Sequence, residues 1–258
     1  MIDLIRAKKA FKDYVKKYNI EDDKIRLKVA HIERTSMIAK EIAQSLNLSQ
    51  EEVELAELIG LLHDIGRFEQ IKQYHTFSDK DSVNHGEYGV KILFEEGKIR
   101  NFIEDSQYDE IIKKAILNHN KTNIENGLNK RELLHTKIVR DADKLDIFYI
   151  LTIDEIKTIY ETKDISKEEI TDEIYQEFIC DRKINYSKMK TSADKVVSHF
   201  AYVFDLYFEY SIRYIYEKQY LKKNYERIKF KNRETTKKLD KIYKIANEFI
   251  ENKLKTGE

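Results

Sequence analysis

The chain of 258 residues contains no proline, and its seven glycines leave residues 128–256 without either of the two strong helix breakers. Proline and glycine are the residues that most strongly interrupt α-helices. Apolar residues recur at spacings of three and four along the chain, whereas alternating apolar and polar runs bounded by turn residues are scarce. These patterns predict an all-α fold.

Charge and cysteine content exclude several classes of protein. The 47 Lys and Arg residues balance the 47 Asp and Glu residues, which argues against a stable complex with nucleic acid. Cys180 is the only cysteine, so the chain can form neither an internal disulfide nor a thiolate metal cluster. The longest apolar run, 147–151, is far shorter than the roughly 20 residues of a transmembrane helix. We expect a cytoplasmic protein without a membrane partner.

The sequence shows no clear division into domains. We find no linker rich in Gly, Ser or Pro and no internal repeat. We therefore expect a single domain over residues 1–258, with a helical core at about 24–150 and a helical C-terminal extension at about 151–258. The oligomeric state stays open.

One helix has a clear start and end in the sequence. Ser49 and Glu52 have the spacing of a capping box, which predicts a helix that begins near Gln50. The apolar pattern continues to about Asp64. Gly66 suits the left-handed position that ends many helices.

Four expected helices each carry one histidine on an otherwise apolar face. The helices are expected at about 23–46, 50–64, 83–96 and 108–119, and the histidines are His31, His63, His85 and His119. A single such histidine is more often a hydrogen-bonded core residue than a ligand. Four of them together favour a shared site.

Aspartates accompany these histidines. Asp64 follows His63, and the string RDADKLD in a fifth expected helix supplies Asp141, Asp143 and Asp146. A buried carboxylate normally needs a cation or several hydrogen bonds. A metal bound by nitrogen and oxygen ligands would satisfy all these groups, and such ligands suit Mn, Fe, Co, Ni or Zn. Periodicity does not select one of the three aspartates.

The same residues resemble a known family. His31, the pair His63 and Asp64 within LLHDIGR, and Asp143 within DADKLD resemble the H…HD…D signature of the HD superfamily of metal-dependent phosphohydrolases. The resemblance covers about residues 24–150 and implies a bundle of about five helices. It implies that these four residues are metal ligands, with Asp143 preferred over Asp141 because it follows a small apolar residue and precedes a lysine.

The resemblance also implies a second metal. His85 and His119 lie in the interval where family members with two metals carry two further ligands. We therefore expect a binuclear centre of divalent transition metals bridged by Asp64. A mononuclear centre is the alternative, because HD proteins with one metal exist.

The expected reaction is hydrolysis of a phosphoester by metal-activated water. The substrate is expected to be a small phosphorylated molecule such as a nucleotide, cleaved by a phosphomonoesterase, pyrophosphatase or phosphodiesterase activity. Asp64, the expected bridging ligand, and Arg67 are the expected catalytic residues. The guanidinium of Arg67 suits phosphoryl oxygens. Lys121 and Lys144 are further candidates for substrate binding, with a solvated surface charge as the alternative for each.

Two other functions remain possible from the sequence. Some relatives with the same six ligands hold two irons and act as oxygenases. A regulatory module would bind a nucleotide without turnover. The aromatic segment around Phe200, Phe204, Tyr207 and Tyr214 fits either a nucleobase-stacking surface or, as we favour, a core face. His75 is either a general acid or an exposed loop residue, and His135 and His199 have no supporting pattern.

Overall fold

The computed structural model describes residues 2–160 and 162–256, and within these ranges it contains no β-strand. The prediction of an all-α fold is confirmed. The chain divides into two compact units, Met1–Asp143 and Lys144–Glu258. The division lies close to residue 150, where we expect the helical core to end. That the whole chain is a single domain with an extension stays a prediction.

The first unit contains the helices that carry the four histidines. Its α-helices are α1 (Leu4–Val15), α2 (Asp23–Ser45), α3 (Gln50–Leu62), α4 (Gly66–Tyr74), α5 (His85–Val90), α6 (Ile99–Phe102), α7 (Asp109–His119) and the first part of α8 (Lys130–Ile153). Helix α5 continues directly into a π-helical turn, Lys91–Glu95.

Local capping sets the starts of the helices. The Ser49 side chain accepts a hydrogen bond from the backbone N–H of Glu52 at 3.4 Å, and α3 begins at the next residue. Asp22 caps α2 in the same way through the N–H of Lys24 at 2.8 Å. Because each cap satisfies a backbone donor that has no partner within its helix, the helix begins where the sequence indicates.

Gly66 differs from the expectation. It does not adopt a left-handed conformation to end a helix but begins α4. A Cβ atom at Gly66 would lie 2.3 Å from the carbonyl oxygen of His85 and 2.7 Å from the backbone nitrogen of Gly89. Glycine is therefore required because α4 and α5 approach each other backbone to backbone, a constraint that the local sequence does not contain.

The first unit has an apolar core. Ile32 and Ile42 of α2 and Leu55 and Ile59 of α3 are fully buried. Burial of each such side chain stabilises the fold by roughly 1.5–3 kcal/mol. Leu27, which the periodicity places on the same face of α2 as His31, is instead 41% exposed.

The second unit has its own core. Its α-helices are the remainder of α8, α9 (Ile156–Ile159), α10 (Asp172–Asp181), α11 (Ser192–Ala201), α12 (Glu209–Lys218), α13 (Tyr220–Arg227) and α14 (Arg233–Thr256). Phe200 is buried, and the ring of Phe204 packs against Phe178 and Phe249 with centroids 5.5 and 4.9 Å away. These rings fill a core, whereas Tyr207 is more than a third exposed. No described helix of the chain has the length and apolar character of a membrane span.

Candidate metal centre

Three buried side chains of the first unit form one candidate metal site. His31 lies on α2, and His63 and Asp64 follow the end of α3. One ligand atom from each lies within 4.8 Å of the other two. The Nε2 atoms of His31 and His63 are both 3.5 Å from Oδ2 of Asp64. This carboxylate oxygen therefore faces the first pair of histidines.

Asp64 also belongs to a second group, with His85 and His119. His85 begins α5 and His119 ends α7. Their Nε2 atoms lie 3.3 and 3.6 Å from Oδ1 of Asp64. Asp64 thus presents one oxygen to each pair of histidines, which is the arrangement of a carboxylate able to bridge two metals.

The structure brings Asp143 to the first group. Its Oδ1 lies 3.1 Å from Nε2 of His31 and 3.8 Å from Nε2 of His63. Asp141, two residues earlier on α8, points in a different direction because two residues are separated by about 200° around a helix axis. The geometry therefore favours Asp143, as the resemblance does.

Hydrogen bonds define the tautomers of three of the histidines. Nδ1 of His63 lies 2.8 Å from the carbonyl oxygen of Gly60, and Nδ1 of His119 lies 2.6 Å from that of Ile116. A carbonyl oxygen only accepts, so each Nδ1 carries the hydrogen and each Nε2 presents a lone pair. Nδ1 of His85 likewise donates to a carboxylate, at 2.6 Å from Oδ2 of Asp79.

The inward-facing atoms fit a metal better than they fit one another. Nε2 of His63 and Oδ1 of Asp64 are buried and have no hydrogen-bond partner. The Nε2 atoms of His85 and His119 lie 2.9 Å apart although both present lone pairs. Buried acceptors that face each other are unfavourable unless a cation lies among them. Imidazole nitrogens and carboxylate oxygens together suit a divalent transition metal.

The surroundings of His63, His85 and Asp64 keep these three side chains in the protonation states that metals require. Burial lowers the pKa of His63 to about 4 and, together with the charge of Arg67, that of His85 to about 3. Burial by itself would raise the pKa of Asp64, but the Lys28 ammonium and the neighbouring imidazoles hold it well below its usual value. Neutral imidazoles and an ionised carboxylate are the forms that bind a metal.

Two residues that lie beside the candidate site, Lys28 and Asp79, were not identified from the sequence. Nζ of Lys28 donates to Oδ2 of Asp64 at 2.7 Å. Lys28 precedes His31 by three residues on α2, so helical spacing was an available signal for it. Asp79, the partner of His85, lies in the polar segment between α4 and α5, where no periodicity identifies it.

Arg67 lies at the candidate site, and its guanidinium already makes hydrogen bonds within the protein. Its Nε is 3.6 Å from Oδ1 of Asp64. Its Nη1 donates to the carbonyl oxygen of Phe77 at 2.6 Å and to Oδ1 of Asp79 at 2.9 Å. These bonds hold the segment between α4 and α5, and a contact of Arg67 with substrate stays a prediction.

The two candidate lysines each contact a carboxylate outside this cluster. Nζ of Lys121 lies 3.0 Å from Glu125, and Nζ of Lys144, in the second unit, lies 2.9 Å from Asp205. Their roles in substrate binding also stay predictions.

Three histidines lie outside the cluster of ligands. His75 is exposed at the end of α4. Nε2 of His135 contacts Glu52 at 2.5 Å, and Nδ1 of His199 lies 3.3 Å from the hydroxyl of Tyr160. These contacts give the rings of His135 and His199 a structural partner each.

A pair of variants distinguishes Asp143 from Asp141. Asp143→Ala should lower the Mn²⁺ retained after reconstitution by about one equivalent, because it removes a carboxylate that faces His31 and His63. Asp141→Ala should retain the metal. Elemental analysis measures both, with circular dichroism to confirm helical folding. Loss of metal in Asp141→Ala alone would contradict the assignment.

A comparison with known families finds one match within the chain. Residues 29–147 match the family model described as the HD domain. No curated protein and no solved structure gives a significant match to the chain. The matched segment contains all six candidate ligands, and the HD superfamily is one of metal-dependent hydrolases. Residues 29–147 therefore form an HD domain.

Proposed function

We propose that the protein is a metal-dependent phosphohydrolase that cleaves a phosphoester bond of a nucleotide. The observation that carries the proposal is the position of Asp64, which presents one oxygen to each of two pairs of histidines. His31, His63 and Asp143 would hold one ion with Asp64, and His85 and His119 would hold the other. Two divalent ions would supply Lewis acidity that activates water and neutralises charge on a phosphoryl group.

Cationic side chains beside Asp64 support a phosphorylated substrate. Lys28 contacts Oδ2 of Asp64, and Nε of Arg67 lies near Oδ1. The Lys28 side chain is 17% exposed. We propose that Lys28 binds a non-bridging phosphoryl oxygen, since hydrogen bonds between charged groups are stronger than neutral ones.

The surroundings of the histidines support their role as fixed ligands. The backbone carbonyl oxygens of Gly60 and Ile116 hold the Nδ1–H groups of His63 and His119. Each ring is therefore oriented before any ligand binds. Such preorganisation is what a catalytic metal site requires of its protein.

The proposed function is tested with protein reconstituted with Mn²⁺ and a panel of nucleoside monophosphates, triphosphates, and cyclic and linear dinucleotides. Release of phosphate and nucleotide products should depend on the metal and should disappear in EDTA. Hydrolysis in oxygen-18 water should place the label on phosphate, because the attack is at phosphorus. Failure of Mn, Fe, Co, Ni and Zn forms on every substrate would contradict the proposal. Consumption of dioxygen by the reduced iron form would then favour the oxygenase alternative.

Lys28→Met should lower kcat/KM on the nucleotide identified in this panel by about 10²-fold, because it removes a donor aimed at the phosphoryl group. The bound metal should remain, since the six candidate ligands are unchanged. Lys24→Met is the matched control: Lys24 lies one turn earlier on α2, and its Nζ donates to the carbonyl oxygen of His75 at 3.1 Å. Equal kcat/KM values for the two variants would exclude a role of Lys28 in substrate binding.

A further inference from the structure

We propose that Asp79 is a positioning residue that holds His85 in the tautomer and orientation with which its Nε2 faces Asp64. Only the predicted effects of Asp79 on metal binding and on turnover rest on the proposed function. The orientation of His85 itself is tested in protein without metal.

His85 lies between two carboxylates. On one side, its Nδ1 is 2.6 Å from Oδ2 and 2.9 Å from Oδ1 of Asp79. On the other side, its Nε2 is 3.3 Å from Oδ1 of Asp64. The hydrogen on Nδ1 is therefore held by Asp79, and the lone pair on Nε2 faces the candidate site. A carboxylate partner of this kind fixes the ring of a metal-binding histidine and raises its basicity.

The position of His85 in its helix explains why it needs such a partner. His63 and His119 stand at the ends of α3 and α7, and each donates its Nδ1–H to a carbonyl oxygen three residues earlier in its own helix. His85 is the first residue of α5, so no turn of that helix precedes it. An acceptor from another segment must therefore orient the ring, and Asp79 supplies it.

Asp79 is itself held by three donors from other parts of the first unit. Nη1 of Arg67 and Nε2 of Gln70 each donate to its Oδ1 at 2.9 Å, and Nδ2 of Asn120 donates to its Oδ2 at 3.2 Å. The Gln70 amide, fully buried, also donates to the carbonyl oxygen of Val83 at 2.9 Å. The carboxylate therefore has a defined position before any metal binds.

Arg67 helps to position His85 indirectly, because it holds the carboxylate of Asp79. Its guanidinium pairs with the carboxylate that orients His85 and also holds the segment that carries Asp79, through the carbonyl oxygen of Phe77. Arg67 is therefore a second positioning residue in the same network, whether or not it also contacts a phosphate.

Asp79→Ala and Asp79→Asn test the proposal with two readouts. Long-range nitrogen–proton NMR of the histidine rings in metal-free protein reports which ring nitrogen of His85 carries the hydrogen. Wild type should show the Nδ1–H tautomer, and Asp79→Ala should shift His85 to a mixture with Nε2–H. Asp79→Asn retains an acceptor oxygen but loses the charge, so the tautomer should persist. In both variants the second equivalent of Mn²⁺ should bind about 10- to 100-fold more weakly, with the first equivalent unchanged.

Asp81→Asn is the matched control. Asp81 lies two residues later in the same segment, is exposed and accepts a hydrogen bond from the hydroxyl of Ser78 at 2.6 Å. It should behave as wild type in both measurements. An unchanged His85 tautomer and an unchanged second binding constant in Asp79→Ala would overturn the proposal. A changed tautomer in a protein that binds no metal even as wild type would support the positioning role and contradict the proposed function.

Discussion

Asp64→Ala should lose both metal equivalents and reduce nucleotide hydrolysis by about 10³-fold or more, because it removes ligands and charge stabilisation together. Among the described residues, Asp64 is shared by the two groups of candidate ligands. Its removal also leaves the Lys28 ammonium, now 2.7 Å from Oδ2, without this partner next to the remaining imidazoles. An uncompensated positive charge there opposes the binding of a cation.

Elemental analysis after reconstitution and desalting measures the metal, and steady-state kinetics measures turnover. Asp13→Ala provides a control in the same unit, because Asp13 is a half-exposed carboxylate paired with Lys9 and Lys16. That variant should retain the metal and turnover of wild type. Circular dichroism checks that both variants are folded. A folded Asp64→Ala protein that keeps two equivalents would show that the metals bind elsewhere.

Gly66→Ala should cause the largest loss of stability among single methyl additions to the first unit. The new Cβ would lie 2.3 Å from the carbonyl oxygen of His85 and 2.7 Å from the nitrogen of Gly89, and backbone atoms cannot rotate away. Overpacking of this kind lowers the free energy of unfolding by about 3 kcal/mol. That loss corresponds to a decrease in Tm of roughly 6–12 °C. Thermal unfolding followed by circular dichroism measures the change.

Gly89→Ala is the control for this prediction. It lies on the other side of the same contact between α4 and α5, but its nearest neighbours to a new Cβ are 3.5 Å away, an ordinary contact distance. Alanine is also about 1 kcal/mol more favourable than glycine within a helix. Gly89→Ala should therefore unfold near the wild-type temperature. Similar destabilisation in both variants would show that the close approach at Gly66 is not the cause.

Much of the local structure is readable from the sequence. The expected bounds 23–46 and 108–119 agree with α2 (Asp23–Ser45) and α7 (Asp109–His119) to within about a residue. His31 and His119 are buried on the inward faces that the spacing of apolar residues indicates. This agreement has a simple cause, since capping and helical periodicity depend on residues only a few positions apart.

Other features depend on residues that are distant along the chain. Asp79 has no periodic pattern around it and becomes identifiable only when His85 is placed beside it. Gly66 has the local context of a helix end, but its conformation follows from the contact with α5. Leu27 fits the periodicity of α2 and is nevertheless exposed, since periodicity does not show which positions of a helix other segments cover.

The amino-acid sequence alone was sufficient for the all-α class, for the inward histidines and, by resemblance, for the HD domain. The absence of proline and the helical spacing of apolar residues act over short stretches of chain. Tertiary packing decided which histidines form pairs and that each oxygen of Asp64 faces one pair. It also brought Asp143 to His31 and placed Lys28 and Asp79 next to the candidate ligands. These are distances between side chains on different segments, and they exist only once the helices have packed around a common core.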